Sequence, residues 1–242
     1  MMIFEGAISV KAAIQGKKRK VNRVFISEKK LKEDANFRFI EKLCRQENIE
    51  VVLTTKDAIA EMCSGKQHGG ICSEVEEYRS LNHKELLKIE KPFIALLEGI
   101  EDPYNYGYAL RSLYAAGCQG VISAKRDWQN AELVVCRSSA GASEFLPQYH
   151  LDCPDEILKE LKYNGVDILC CARKAANSIY QQDFNRGVVI CLGGEKRGLS
   201  AEIMSLAQQN IYIPYQNDFH NALNSASAVA VVAFEVYRQR NS

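Results

Sequence analysis

Short apolar runs alternate with amphipathic stretches along this chain, and each kind of stretch predicts its own element of secondary structure. Apolar, β-branched runs predict strands at 21–26, 49–53, 71–75, 93–97, 120–122, 166–172, 188–192 and 211–213. Apolar side chains at helical spacing predict helices at 5–14, 35–46, 56–63, 129–140, 154–164 and 222–238. Two further helices are predicted, one that carries Arg111 and one that begins after Ser200. This alternation predicts an α/β fold with a mainly parallel sheet and helices on both faces.

A polar stretch at 76–91 interrupts the alternation and separates two groups of predicted elements. We therefore predict a small α/β domain at 1–78, a linker at 79–92 and a second α/β domain at 93–242.

The composition is that of an ordinary globular protein, with 47% hydrophobic and 25% charged residues in a chain of 242. No run of about eighteen apolar residues is present, and residues 1–13 lack the features of a secretory signal, so we expect a cytoplasmic protein. Nine cysteines without a Cys-x-x-Cys pair predict reduced, buried thiols, with neither a metal site nor a disulfide framework.

The net charge of +1 conceals an excess of basic residues in the first part of the chain. Much of that excess comes from one run, Lys17, Lys18, Arg19 and Lys20, which lies between the first predicted helix and the first predicted strand. Such a run is either a solvated loop or a contact for phosphate groups, and its place in the basic part favours an acidic partner there.

Two loops near the end of the chain are the strongest candidates for a functional site. The first, from Gly193 to Gly198, follows an apolar strand, and open α/β sheets bind ligands at the carboxyl ends of their strands. The second begins at Pro214, after the next short strand, and ends where Leu223 and Asn224 open the last helix. Very little sequence separates the two loops, so we expect them to face each other.

These loops resemble motifs two and three of the SpoU (TrmH) family of RNA ribose 2′-O-methyltransferases. The resemblance lies in Gly193-x-Glu195-x-x-Gly198, Ile213-Pro214 and Leu223-Asn224. The family's first motif, Asn-x-Gly-x-x-x-Arg, is matched by Asn105, Gly107 and Arg111. Members are α/β enzymes of the SPOUT superfamily, so the resemblance implies that the second domain contains a trefoil knot.

The front part resembles the small substrate-binding α/β domain that precedes many catalytic domains of this family. Glu5-Gly6 is similar to its start, and His68-Gly69-Gly70-Ile71 is similar to its end. The resemblance implies RNA binding by residues 1–78, for which the basic run 17–20 is the candidate contact. For His68 we favour a structural role, in a loop and bonded to backbone, over a catalytic one.

The resemblance also implies S-adenosyl-L-methionine as methyl donor and a set of residues for each task. The implied cofactor-binding residues are Gly193, Gly194, Ile213, Pro214 and Leu223, and the implied catalytic residues are Arg111, Asn105, Glu195 and Asn224. Arg111 is expected to stabilise the developing 2′-oxyanion and to position a phosphate, because a guanidinium holds its proton too tightly to act as base. The two asparagines are expected to orient Arg111 or the target nucleotide. Glu195 either holds the loop by accepting backbone N–H groups or binds a substrate group.

The chain departs from the family pattern at the start of the last helix. The family has Ser-Leu-Asn-x-Ser, whereas this chain has alanine at 222 and again at 226, where the second serine is expected. Either Ser225 or Ser227 takes its place, or that hydroxyl is dispensable. The loop is also one residue longer, and Asn217 stands where the family has glycine.

Three further expectations concern partners and rival functions. The resemblance implies a ribosomal RNA substrate, with transfer RNA as the alternative, and a homodimer formed through the knotted domain. The apolar residues of the last helix, Val229, Val232, Ala233 and Val236, are the candidate dimer surface. The rivals are a non-catalytic RNA-binding module with the same fold and a Rossmann-type enzyme, which would need a Gly-x-Gly-x-x-Gly that is missing after the first strand.

Overall fold

The computed structural model describes residues 2–65, 67–78, 81–125, 131–172, 177–218 and 221–242. The chain divides into two compact units. Unit 1 comprises Met1–Arg79 and Asn130–Phe145, and unit 2 comprises Ser80–Gln129 and Leu146–Ser242. The predicted boundaries assign residues 130–145 to the second domain, whereas in the structure this segment packs within unit 1.

Eleven strands and nine α-helices lie in the described ranges. The strands are β1 Met2–Glu5, β2 Val21–Ser27, β3 Glu50–Thr54, β4 Ile71–Val75, β5 Phe93–Glu98, β6 Gly120–Ala124, β7 Gln148–Leu151, β8 Asp167–Cys171, β9 Asn177–Ser178, β10 Val188–Gly193 and β11 Gln209–Tyr212. The helices are α1 Ala7–Gly16, α2 Glu28–Glu33, α3 Ala35–Gln46, α4 Lys56–Met62, α5 Pro103–Ala115, α6 Glu132–Ser138, α7 Pro154–Tyr163, α8 Ala201–Leu206 and α9 Ser225–Arg240. Short 3₁₀ turns occupy His83–Lys88, Ala142–Glu144 and Ile179–Gln181.

Unit 1 is built on a four-stranded sheet in the order β1-β4-β2-β3. Strand β4 runs antiparallel to both of its neighbours, and β2 runs parallel to β3. Helix α3 shows how the sequence forms these elements. The side chain of Asp34 caps it by accepting the N–H of Asn36, and Phe37, Ile40 and Cys44 form one buried face along it.

The segment 131–144 is fastened to unit 1 by a buried ion cluster, which we define as Arg19, Glu132 and Glu144. The Arg19 guanidinium lies 2.8 Å from Glu144 and 2.7 Å from Glu132, and it also donates to the carbonyl oxygen of Glu76. Close backbone packing adds to this attachment, because a Cβ built at Gly16 would lie 2.0 Å from the carbonyl oxygen of Glu144. These contacts explain why residues 130–145 belong with unit 1.

Unit 2 contains a seven-stranded, entirely parallel sheet in the order β7-β6-β5-β10-β8-β11-β9. Its central strands are buried along nearly their whole length, as the uninterrupted apolar runs predict. Apolar residues of α7 pack against β5, β6, β8 and β10 in one core. The fold class is therefore confirmed as α/β with a parallel-sheet domain, while the trefoil knot stays a prediction. None of the helices in the described ranges is long and apolar enough to span a bilayer.

The four apolar residues of the last helix do not form the dimer surface predicted for them. Helix α9 packs against α5, and all four candidate residues lie within unit 2, at 0 or 1% exposure. The four residues are Val229, Val232, Ala233 and Val236. They form part of the unit's own core, so this part of the prediction is wrong.

Candidate functional site

The site begins where β5 and β10 end side by side. The two strands are parallel neighbours, with Gly193 in register with Glu98, and the N–H of Gly194 donates to the Glu98 carbonyl at 2.7 Å. The loop after β10 then closes on itself, because the N–H of Gly198 donates to the carbonyl of Gly194 at 3.0 Å. Residues 195–197 are thereby presented at the tip of a pinned loop.

The glycines of this loop are required by close backbone packing. A Cβ at Gly193 would lie 2.3 Å from the carbonyl carbon of Gly198, and a Cβ at Gly194 would lie 2.0 Å from the carbonyl oxygen of Gly99. Real Cβ atoms do not approach backbone so closely, so a side chain at 193 would open this loop, and one at 194 would push it away from the loop that follows β5. Gly193 and Gly194 therefore set the shape of the site, and any ligand contact they make is through backbone.

Glu195 joins the first loop to the helices on either side of it. Its Oε1 accepts the backbone N–H of Ser225 at 3.3 Å and the side-chain amide of Asn105 at 3.4 Å. Of the two roles left open for Glu195, this geometry fits the first, in which the carboxylate holds the loop by accepting a backbone N–H. Three segments that are distant in sequence meet at this carboxylate.

Two of the predicted catalytic residues lie apart from this contact. Asn224 caps α9, since its side-chain oxygen accepts the N–H of Ser227 at 2.7 Å. Arg111 is exposed on α5, six residues and about 9 Å along the helix axis from Asn105. Arg111 makes no hydrogen bond or ion pair to any residue that the structure describes, so its orientation by either asparagine stays a prediction.

A cavity of about 620 Å³ lies beside the pinned loop, at the carboxyl ends of β8, β10 and β11. Four of the five predicted cofactor-binding residues line it, namely Gly193, Gly194, Ile213 and Leu223, while Pro214 does not. Several other residues that line it were not predicted from the sequence: Cys171, Ala172, Met204, Tyr212 and Tyr215. The cavity is thus formed by the two loops that contain motifs two and three, together with the end of β8.

Tyr215 has a specific place in the second loop. Its hydroxyl accepts the backbone N–H of Leu223 at 3.0 Å, across the loop that joins β11 to α9. Tyr215 was not predicted from the sequence, because motif three comprises only residues at the two ends of this loop. The contact fixes Leu223 beside the cavity that both residues line.

In unit 1 the structure separates the four residues of the basic run. Arg19 is 5% exposed and belongs to the buried ion cluster, so the prediction that it contacts RNA phosphate is wrong for the described conformation. Lys17 and Lys20 are exposed and pair with Glu47 and Glu76 at 2.8 and 3.5 Å. Lys18 is partly exposed and has no ion-pair partner among the described residues.

The other candidates in the chain have structural roles. His68 is buried in its loop, where its Nδ1 accepts the N–H of Gly70 at 3.2 Å, which confirms the expected bonding to backbone. All nine cysteines are free thiols, and six are buried. Burial raises the pKa of several of them, for example that of Cys118 to about 12. Among the described residues, no group of three or more potential ligands is placed to hold a metal ion.

Comparison with protein families finds two matches that together cover most of the chain. Residues 92–234 match the model of the SpoU rRNA Methylase family, and residues 3–81 match that of the RNA 2′-O ribose methyltransferase substrate-binding domain. The two matches divide the chain within the segment 79–92 that the sequence predicted as linker.

Individual similar proteins agree with the two family matches. The chain is 30% identical to the 23S rRNA (guanosine-2′-O-)-methyltransferase RlmB of Shewanella oneidensis over 196 residues, which is 79% of each chain. It is 27% identical to the enzyme of that name from Photobacterium profundum over 245 residues, with 99% of this chain and 98% of the relative covered. In fold it is similar to the SpoU methyltransferase AviRb from Streptomyces viridochromogenes, solved with the cofactor AdoMet, at a TM-score of 0.82, 21% identity and coverage of 100% and 91%.

Proposed function

Since the chain belongs to the SpoU family of RNA 2′-O-ribose methyltransferases, we propose that it transfers the methyl group of S-adenosyl-L-methionine to a ribose 2′-oxygen of ribosomal RNA. The observation that carries this proposal is the cavity of about 620 Å³ between the two motif loops at the carboxyl edge of the sheet. Ribosomal RNA is the substrate that the names of the RlmB relatives give for those proteins.

The cavity fits the proposed cofactor in size and in chemistry. Ligand sites are commonly about 300–1,000 Å³ and mostly apolar, with a few well-placed polar groups. This cavity lies within that range, and side chains such as Leu192, Ile213 and Leu223 provide an apolar wall for an adenosine. Backbone groups of the glycine loop and the carbonyl oxygen of Leu223, whose N–H is bonded to Tyr215, are the candidates for holding its polar edges.

The chain's own residues have few tasks in the proposed reaction. The cofactor, when bound, supplies an electrophilic methyl group. Glu195 keeps the first loop, α5 and the start of α9 together. Arg111 is exposed on α5 and available to an incoming RNA, so it is our candidate for positioning a phosphate and stabilising the 2′-oxyanion.

We assign RNA binding to unit 1 and restrict the contact in the basic run to its three lysines. Arg19 is excluded by its burial, whereas Lys17, Lys18 and Lys20 are at least partly exposed and can exchange their weak surface pairs for phosphate. We place the proposed reaction in the cytoplasm, where the sequence leads us to expect the protein.

We also propose a homodimer formed through unit 2, with residues of α9 other than the four that the sequence suggested. Helix α9 exposes two aromatic side chains whose ring centroids lie 6.2 Å apart. They are Phe234 and Tyr237. Such an exposed group is typical of an interaction surface. Light scattering at micromolar concentration is expected to give twice the chain mass, and Phe234→Glu is expected to lower it, whereas a monomeric mass for the unaltered protein would overturn the proposal.

Two measurements test the proposed function. Titration calorimetry should show binding of S-adenosyl-L-methionine to the full chain, which a non-catalytic module would lack. Mapping of 2′-O-methyl groups in total RNA with and without the protein should reveal one site, in ribosomal RNA, that depends on it. Identical maps would refute methyl transfer. A site in transfer RNA that is methylated only when the protein is present would show that transfer RNA, and not ribosomal RNA, is the substrate.

A further inference from the structure

Three consecutive charged residues at the tip of the pinned loop have three different environments. Glu195 points to α5 and α9 and accepts their hydrogen bonds. The Nζ of Lys196 lies 3.0 Å from Glu101, in an exposed ion pair. Arg197 lines the cavity and makes no hydrogen bond or ion pair to the part of the chain that the structure describes.

We propose that Arg197 binds the carboxylate of the methionyl part of S-adenosyl-L-methionine, an inference that rests on the proposed function. The cofactor carries a carboxylate at one end, and a site for it needs a cation or several N–H donors. Among the described residues that line the cavity, the charged side chains are those of Glu195 and Arg197. Glu195 would repel a carboxylate, so Arg197 is the group of complementary charge.

Guanidinium chemistry and the loop geometry both support this assignment. A guanidinium presents a planar pair of N–H donors that matches a carboxylate, which the ammonium of a lysine does not. Arg197 immediately precedes Gly198, whose bond to Gly194 fixes that end of the loop, so the side chain starts from a defined backbone. Its neighbour Lys196 already has an acidic partner in Glu101, whereas Arg197 has none in the described ranges.

A phosphate of the RNA is the competing ligand for Arg197. The cavity favours the carboxylate, because Arg197 shares its wall with Leu223 and Gly193, the residues assigned to the cofactor. The exposed face of α5, which carries Arg111, is the more open surface for a polynucleotide.

The experiment combines removal of the cation with removal of the carboxylate. Calorimetric titrations of the full chain compare S-adenosyl-L-methionine with its decarboxylated analogue, for the unaltered protein, Arg197→Gln and Arg197→Lys. Arg197→Gln should weaken binding of the intact cofactor about tenfold, and the analogue should bind the unaltered protein about tenfold more weakly than the cofactor does. The analogue should bind Arg197→Gln and the unaltered protein equally well. Arg197→Lys should recover part of the loss.

Lys196→Gln is the matched control, because it removes the same charge from the same loop without touching the cavity wall. Its affinity for the cofactor should equal that of the unaltered protein. If Arg197→Gln weakens both ligands equally, Arg197 acts on the shape of the loop and the inference fails. It also fails if affinity for the cofactor is unchanged while the KM for RNA rises, since the ligand is then a phosphate. Absence of cofactor binding in the unaltered protein would instead overturn the proposed function.

Discussion

Replacement of Arg19 by glutamine should destabilise the protein strongly, because it leaves the buried carboxylate of Glu144 without its cation. The side chains of Arg19 and Glu144 are only 3% and 1% exposed, and the guanidinium donates to both oxygens of Glu144 at 2.8 and 3.2 Å. It also reaches Glu132 at 2.7 Å. Burial by itself lowers the pKa of Arg19, but the attraction of Glu144 and Glu132 more than offsets this, and the pKa is raised above its usual value.

The expected loss is about 3–5 kcal/mol, the cost of breaking a buried ion pair by removing one partner. Net stabilities of folded proteins are about 5–15 kcal/mol, so the loss is a large part of the total. Urea unfolding of the full chain measures it through the transition midpoint, with separate probes for the two units, because two compact units need not unfold in one step.

Arg23→Gln is the matched control in the same unit. Arg23 pairs with Glu74 at 2.9 Å, but its side chain is 46% exposed, so solvent screens the pair and its loss should shift the midpoint far less than loss of Arg19 does. If Arg19→Gln shifts the midpoint no more than Arg23→Gln does, the ion cluster does not fasten residues 131–144 to unit 1. A second check is Arg19→Met combined with Glu144→Gln, which should be less destabilising than the sum of the two single changes.

Three other predictions concern the proposed reaction. Arg111→Ala should lower turnover about a hundredfold or more with little change in affinity for S-adenosyl-L-methionine, and near-normal single-turnover rates on the correct RNA would contradict it. Ser225→Ala should slow methyl transfer more than Ser227→Ala, because Ser225 lines the cavity while Ser227 is exposed; equal rates for both variants would show that neither replaces the family serine. Changing the three lysines of the basic run 17–20 to alanine should reduce the salt dependence of RNA binding by up to about three counterions, whereas unchanged salt slopes would place the contact elsewhere.

The elements that the sequence predicted well are those with a strong local signal. Helix α3 was predicted with its observed bounds, because its apolar side chains recur at helical spacing. The central strands of unit 2 were also predicted, since buried parallel strands are continuous apolar runs. Strand β1 was missed and its end assigned to the first helix, because four residues carry no clear period and their pairing partner, β4, lies some seventy residues later.

Long-range neighbours explain what was missed in the site and in the basic run. The family spacing located the two loops, but the end of β8 joins them only because of the strand order β10-β8-β11, which periodicity does not reveal. From the sequence, Arg19 was predicted to be as exposed as the three lysines beside it. The two glutamates that pair with it in the structure lie more than a hundred residues away in the chain, so no local pattern indicates its burial. Local patterns identify a cation, whereas its exposure depends on the fold.

The departure from the family at the start of the last helix has a physical explanation in the structure. Ala226 is buried at 8% exposure in the first turn of α9. A hydroxyl there would need a hydrogen-bond partner, and an unpaired buried hydroxyl costs about 1–3 kcal/mol by mutational measures, so alanine avoids that cost. Ser225 lies one position earlier, lines the cavity, and has its backbone N–H held by Glu195. If the reaction needs a serine hydroxyl, Ser225 is therefore the one that the fold brings to the cavity, and the same glutamate that bonds the first loop to α5 fixes its position.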